Sequence, residues 1–172
     1  METDLAVTRR THAGLYELYE LHADRAKRLA YLLTGDPDLA EDLLQDAFVK
    51  VAGAFRGIRK PEAFGGYLRT TIVNLARSYF RRSKSERAYL EKERARPARA
   101  NEQPDLAVRT DLFQALQKLS VRQRTAVVLR YYEDLSERQA ADVLGLSVPA
   151  LKSLVNRAME NLRAEVGSEG RT

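Results

Sequence analysis

Cysteine is absent from the 172 residues, which removes disulfides, thiolate zinc sites and cysteine nucleophiles together and fits a reducing compartment. Histidine is almost absent. His12 and His22 both fall in the first stretch of the chain, in no spacing with carboxylates that suggests a metal site, and read as solvated surface residues. Glycine and proline number only 9 and 5, a balance tilted towards helix formers. No apolar run reaches signal-peptide length or the ~18 residues of a membrane span, so a cytoplasmic location without membrane insertion is expected. A glycine-rich phosphate loop and an activated serine are missing too. Glu133-Asp134, placed after two tyrosines and before a capped helix, reads as a turn rather than an acid and base pair. These absences argue against an enzyme and imply neither cofactor nor metal.

What the chain does contain is apolar residue (44%) and charge (31%), with a formal net charge of +5. The length allows one moderate core or two small ones, so the domain count must come from pattern. Leu15, Leu18, Tyr19, Leu29, Leu32 and Leu33 suggest one or two helices ending at Thr34-Gly35. Asp36 is a candidate cap and Pro37 a candidate first-turn residue. After them Leu39, Leu43, Leu44, Ala47, Phe48, Val51 and Phe55 recur at helical spacing. Residues 56–66 hold Gly57, Pro61 and Gly65-Gly66 and read as a connector. A helix is expected from about Tyr67, burying Leu68, Ile72, Leu75 and Tyr79. Beyond Arg81 the periodicity fades into a charged linker composition up to Asp105; the alternative is a helix that continues towards Arg96.

The C-terminal part carries two capping-box patterns, Ser120-x-x-Gln123 and Ser136-x-x-Gln139, each ahead of an apolar run. The second opens a helix-turn-helix: residues 136–144 as supporting helix with small Ala140 at the crossing, Gly145 at the turn, Leu146 as apolar plug, Ser147 as the next cap, and residues 149–162 as the helix for the major groove. Advancing ~100° per residue, Leu151, Leu154, Val155, Ala158, Met159 and Leu162 share one side. Lys152, Ser153, Asn156 and Arg157 face the other, with side chains suited to base edges and phosphates. No strand pattern is convincing, so the fold class expected is all-α: two small helical domains joined by a flexible charged linker. A solvated outer helix face would look similar, but cap, turn and small residue coincide here.

Charge is unevenly placed. Residues 77–99 hold nine Arg or Lys against three Glu, which leaves the rest of the chain near neutral. For the positions after Arg87 a solvated linker accounts for this, whereas Arg77, Arg81 and Arg82 sit on a helix that also carries Tyr67, Asn74, Tyr79 and Phe80. Phosphate-seeking cations beside aromatic and amide groups suit nucleic acid with unstacked bases. The preceding helix instead shows Asp38, Glu41, Asp42, Gln45 and Asp46 outward, a face that repels DNA and suits a protein partner or solvent.

Three blocks, LAEDLLQDAFVKVAGAF, AFGGYLRTTIVNLARSYFRRS and LSVRQRTAVVLRYYEDLSERQAADVLGLSVPALKSLVNRAMENLR, resemble in order the extracytoplasmic-function (ECF) group of bacterial RNA polymerase sigma factors, including its actinobacterial SigE-like members. The resemblance implies region 2 at residues 11–84, a linker at 85–109 that passes through the polymerase towards the RNA exit path, and region 4 at 110–166. It implies that Asp42, Gln45, Asp46 and Val49 dock on the polymerase clamp. Tyr67, Thr70, Asn74, Arg77, Arg81 and Arg82 would open the proximal promoter element and hold a flipped base of single-stranded DNA. Arg138, Lys152, Ser153, Asn156 and Arg157 would read the distal element as duplex. Core RNA polymerase, promoter DNA and an anti-sigma factor are the partners it implies. Two positions depart from the family: Tyr67 stands where Trp is usual, and Leu154 where Arg is usual. The rival reading, a dimeric helix-turn-helix regulator, has no use for the acidic and basic helices upstream.

Overall fold

A computed structural model describes the backbone of residues 2–54, 60–91 and 111–169, and the side chains of residues 14–54, 60–85 and 111–166. Every regular element among them is helical. The chain divides into two compact units, Met1–Leu75 and Ala76–Thr172.

In the first unit a single helix α1, Glu2–Thr34, is the first of the two expected possibilities and ends where expected. It ends where Gly35 takes a left-handed φ of 72° and donates its N–H to Tyr31 O at 2.8 Å. Thr34 Oγ1 adds a bond to Ala30 O at 2.8 Å. Helix α2, Pro37–Ala54, starts at once, because Asp36 Oδ1 accepts from the N–H groups of Asp38 (2.9 Å) and Leu39 (3.1 Å). The two helices lie against each other through Leu29, Ala30 and Leu33 on one and Ala40, Leu43, Leu44, Ala47 and Val51 on the other, all buried. Lys27 and Glu41 join them at 2.5 Å. That bond raises the lysine pKa and lowers the glutamate's; the pair is half in solvent, so it adds little stability.

A short 3₁₀ turn, Pro61–Ala63, leads into α3, Phe64–Glu91. The expectation of a start near Tyr67 placed Gly65 and Gly66 in the connector; they form the helix's first turn instead. Gly65 is needed there because a Cβ would sit 2.8 Å from His22 Cε1. The histidine is thus half-buried, against the expectation of a solvated ring. Burial and the charge of Arg25 lower its pKa. A second correction concerns Tyr79, expected inside but 39% exposed, while Leu75 is half-buried. The buried row runs through every fourth residue, Phe64, Leu68, Ile72 and Ala76. It winds round the helix by about 40° a step, so a straight stripe misplaces its far end. Past Arg81 the helix continues, as the alternative had it, as far as Glu91; the remainder of the expected linker lies outside the described residues.

In the second unit α4 (Asp111–Lys118), α5 (Val121–Val127), α6 (Glu137–Leu144) and α7 (Val148–Glu169) surround a core of Leu116, Leu119, Leu129, Leu144, Leu151 and Leu162 with small Ala126, Ala140, Ala141 and Ala158 between them. Both capping boxes form as read, Ser120 with Gln123 and Ser136 with Gln139. Arg124 is buried without a carboxylate: its guanidinium binds Gln117 Oε1 and lies 5.6 Å from the centre of the Phe80 ring, and desolvation lowers its pKa. Among the described residues no helix is long and apolar enough to cross a membrane.

Candidate functional site

Three surfaces carry the residues singled out from the sequence. On α2 the inward row Leu43, Leu44, Ala47 and Val51 fixes which residues face out. Asp38, Asp42, Gln45, Asp46 and Val49 are all exposed, and Glu41 is half-buried against Lys27. Val49 is 71% exposed, an apolar residue at the C-terminal end of this row, one turn past Asp46. A face of this kind suits a basic protein surface with an apolar contact at one end.

The outward side of α3 is aromatic and amide at its start and cationic further on. Tyr67 is 55% exposed, one turn past Phe64, which is wholly buried. Phe64 lies between the rings of His22 (5.7 Å) and Phe48 (5.8 Å, edge-on), and Phe48 in turn meets Tyr19 at 4.9 Å. This aromatic cluster packs the first turn of α3 against α1 and α2, while the Tyr67 ring itself stays exposed. Asn74 is exposed and Thr70 half-buried on the same helix. Further along, Arg77, Arg81 and Arg82 are exposed, and Arg77 Nη1 donates to Leu144 O at 3.4 Å. Sequence reasoning missed His22 as a support for this surface. The Gly65-Gly66 pair was the available signal, since a glycine inside a helix marks a close approach.

In the C-terminal helices, the α5 to α6 connection is a π turn, Val128–Tyr132, in which Glu133 N–H donates to Val128 O at 3.0 Å. Leu135 N–H reaches Leu129 O at 3.1 Å, and Asp134 adopts a left-handed φ of 54°. The turn expected at Glu133-Asp134 is thus present, but with Glu133 buried. Gly145, at φ 66°, then closes α6, as a left-handed cap after a helix requires. Ser147 Oγ accepts from Ala150 N–H at 3.3 Å to start α7, one residue before the expected Pro149.

Along α7, Leu151, Val155, Ala158 and Leu162 are buried, and Lys152, Ser153, Asn156 and Arg157 are exposed. Arg138, at the second position of α6, is exposed as well. Lys152 Nζ lies 3.5 Å from Glu137 Oε2, an ion pair between α6 and α7. Leu154 is half-buried at the border between the two sides.

Comparison with known proteins gives two family matches, sigma-70 region 2 over residues 18–86 and sigma-70, region 4 over residues 109–162. An RNA polymerase sigma-E factor of Streptomyces antibioticus is 34% identical, over 87% of this chain and 83% of the relative. The ECF RNA polymerase sigma factor SigE of Mycolicibacterium smegmatis is also 34% identical, over 86% of this chain and 59% of its own. Among solved structures, the sigma factor RpoE of Bartonella quintana, crystallised with the anti-sigma factor NepR, is similar with a TM-score of 0.71. It is 25% identical and covers 88% of this chain and 96% of that one.

Proposed function

The chain belongs to the sigma-70 family as an extracytoplasmic-function RNA polymerase sigma factor, and on that premise we propose that three of its helices divide the work of initiation. The protein binds core RNA polymerase and directs it to start transcription at chosen promoters. RNA synthesis itself belongs to the polymerase, so the chain supplies binding and no bond-making chemistry, and it works in the cytoplasm where the polymerase works.

In this assignment region 2 spans residues 11–84 and region 4 residues 110–166, with the linker between. Asp42, Gln45, Asp46 and Val49 of α2 dock on the clamp of the polymerase's largest subunits. Tyr67, Thr70 and Asn74 take up an unpaired base of the proximal element, while Arg77, Arg81 and Arg82 bind the phosphates that flank it. Lys152, Ser153, Asn156 and Arg157 read the distal element in the major groove, with Arg138 on its backbone. The exposed ring of Tyr67, one turn past buried Phe64, supports the base-capture role, because an aromatic face open to solvent is available for stacking. By analogy with the Bartonella sigma factor, an anti-sigma factor is the partner that would hold this one inactive.

The observation that carries the division is the separation of charge: a row of carboxylates ending at exposed Val49 on α2, cations and an exposed tyrosine on α3. A paired substitution tests it. Reversing both Asp42→Lys and Asp46→Lys should weaken binding to core polymerase by about tenfold or more, as loss of close interfacial charge pairs does. Tyr67→Ala should leave that affinity intact and cut the permanganate reactivity of unpaired thymines in the open complex by roughly fivefold or more, the value of one base stacked on an aromatic ring. Unchanged polymerase affinity in the first variant removes α2 from the docking role, and undiminished opening in the second removes Tyr67 from base capture.

A further inference from the structure

The reading helix α7 has two unlike flanks, and one of them is apolar. On one side stand Lys152, tied to Glu137, and Asn156. On the other, one turn apart, lie Ala150, exposed at the third position of the helix, and Leu154, half-buried, bordered by exposed Ser153 and Arg157. The Ser147 cap binds the N–H of Ala150 and fixes this first turn. We propose that Ala150 and Leu154 form a pocket wall that selects thymine in the distal element, by contact with its C5-methyl group.

The argument rests on the distal-reading role proposed above and proceeds by elimination of chemistry. A placement of α7 that brings Ser153 and Arg157 to base edges carries Ala150 and Leu154 to the groove beside them, since Ala150 lies one turn before Ser153 and Leu154, and Arg157 one turn after. Neither side chain can donate or accept a hydrogen bond. Every base edge in the major groove presents polar atoms, and the thymine methyl is the single apolar group there. A leucine facing a guanine or cytosine edge would strip water from polar atoms and return nothing, whereas against a methyl it buries apolar surface on both sides. Ala150 is small enough to let the helix end approach the base, and Leu154, backed by the core, is held rather than free to swing away. The leucine thus converts a flank of the reader from hydrogen-bond recognition to methyl recognition.

The test uses the full chain bound to core polymerase. Duplex DNA with a randomised distal element is selected, and each enriched thymine is then replaced in turn by deoxyuridine, which deletes only the methyl. The expected result is thymine at one or two adjacent positions and a loss of about fourfold in binding for each replacement, the worth of one buried methyl. Leu154→Ala should abolish the difference between thymine and uracil. Leu154→Arg should shift the selected base towards guanine. A distal element with enriched sequence but no thymine, no sensitivity to uracil, or the same sensitivity in Leu154→Ala overturns the methyl contact and leaves the reading role standing. A library with no enriched distal sequence at all overturns both.

Discussion

Between His22 and Gly65 there is no space for a methyl group, and the consequence is a pH-sensitive joint at the base of α3. The imidazole lies against the Phe64 ring, and burial first and Arg25 second lower its pKa below the ordinary histidine value. The folded chain therefore prefers the neutral ring, while the unfolded chain protonates at the usual ~6.5. Stability is then complete above that value and is lost as pH falls through it towards the lowered folded pKa, because the unfolded state binds the extra proton. We expect the urea midpoint to fall between about pH 7 and pH 5, and His22→Gln to flatten that slope. An equal slope in the variant would place the titration elsewhere. Glu41, held below the usual carboxylate range by its bond to Lys27, contributes only in more acidic solution. Arg25, one turn along α1, was visible in the sequence, but the burial of the ring was not, because Phe64 and Gly65, which pack on it, are some forty residues away along the chain.

At the scale of elements, what could be read in advance was what depends on local chemistry. The Asp36 cap, the Ser120 and Ser136 boxes and the left-handed glycine after α6 involve groups within four residues of one another, so their residue types announce them. The outward positions of α2 and α7 followed from periodicity for the same reason. The π turn at Val128–Tyr132 did not, since its extra residue is accommodated by the packing of Leu129 and Leu135 and leaves no residue signature. Nor did the winding of the buried row on α3, which is set by the helices it crosses. The box at Ser136 opens α6, which meets α7 with buried Ala140 and Ala141 and with the Glu137 pair to Lys152. Ser136→Ala should cost about 1 kcal/mol of stability, seen as a lower thermal midpoint. An unshifted midpoint would mean that the cap is redundant with the packing beneath it.

For the whole molecule, the proposed assignment puts one reader in each of the two family regions, so that neither would need to bind tightly alone. Two weak contacts held at a set distance by the polymerase multiply their selectivity, because the second binds at the effective concentration set by the first. A dimeric regulator would instead carry its whole specificity in the helix-turn-helix, and α2 would have no partner to meet. The acidic α2 and the cationic α3 were both visible as patterns of charge; the polymerase and promoter DNA as their proposed partners came from the family. The direct measurement is transcription in vitro from a library of promoter-bearing templates, with bacterial core polymerase in the presence and absence of this chain. Initiation at a defined subset of templates, sharing two short elements at constant spacing and seen only with the chain added, is the predicted result. Transcripts no different from those of core polymerase alone, with the chain binding two-fold symmetric duplex DNA by itself, would contradict it.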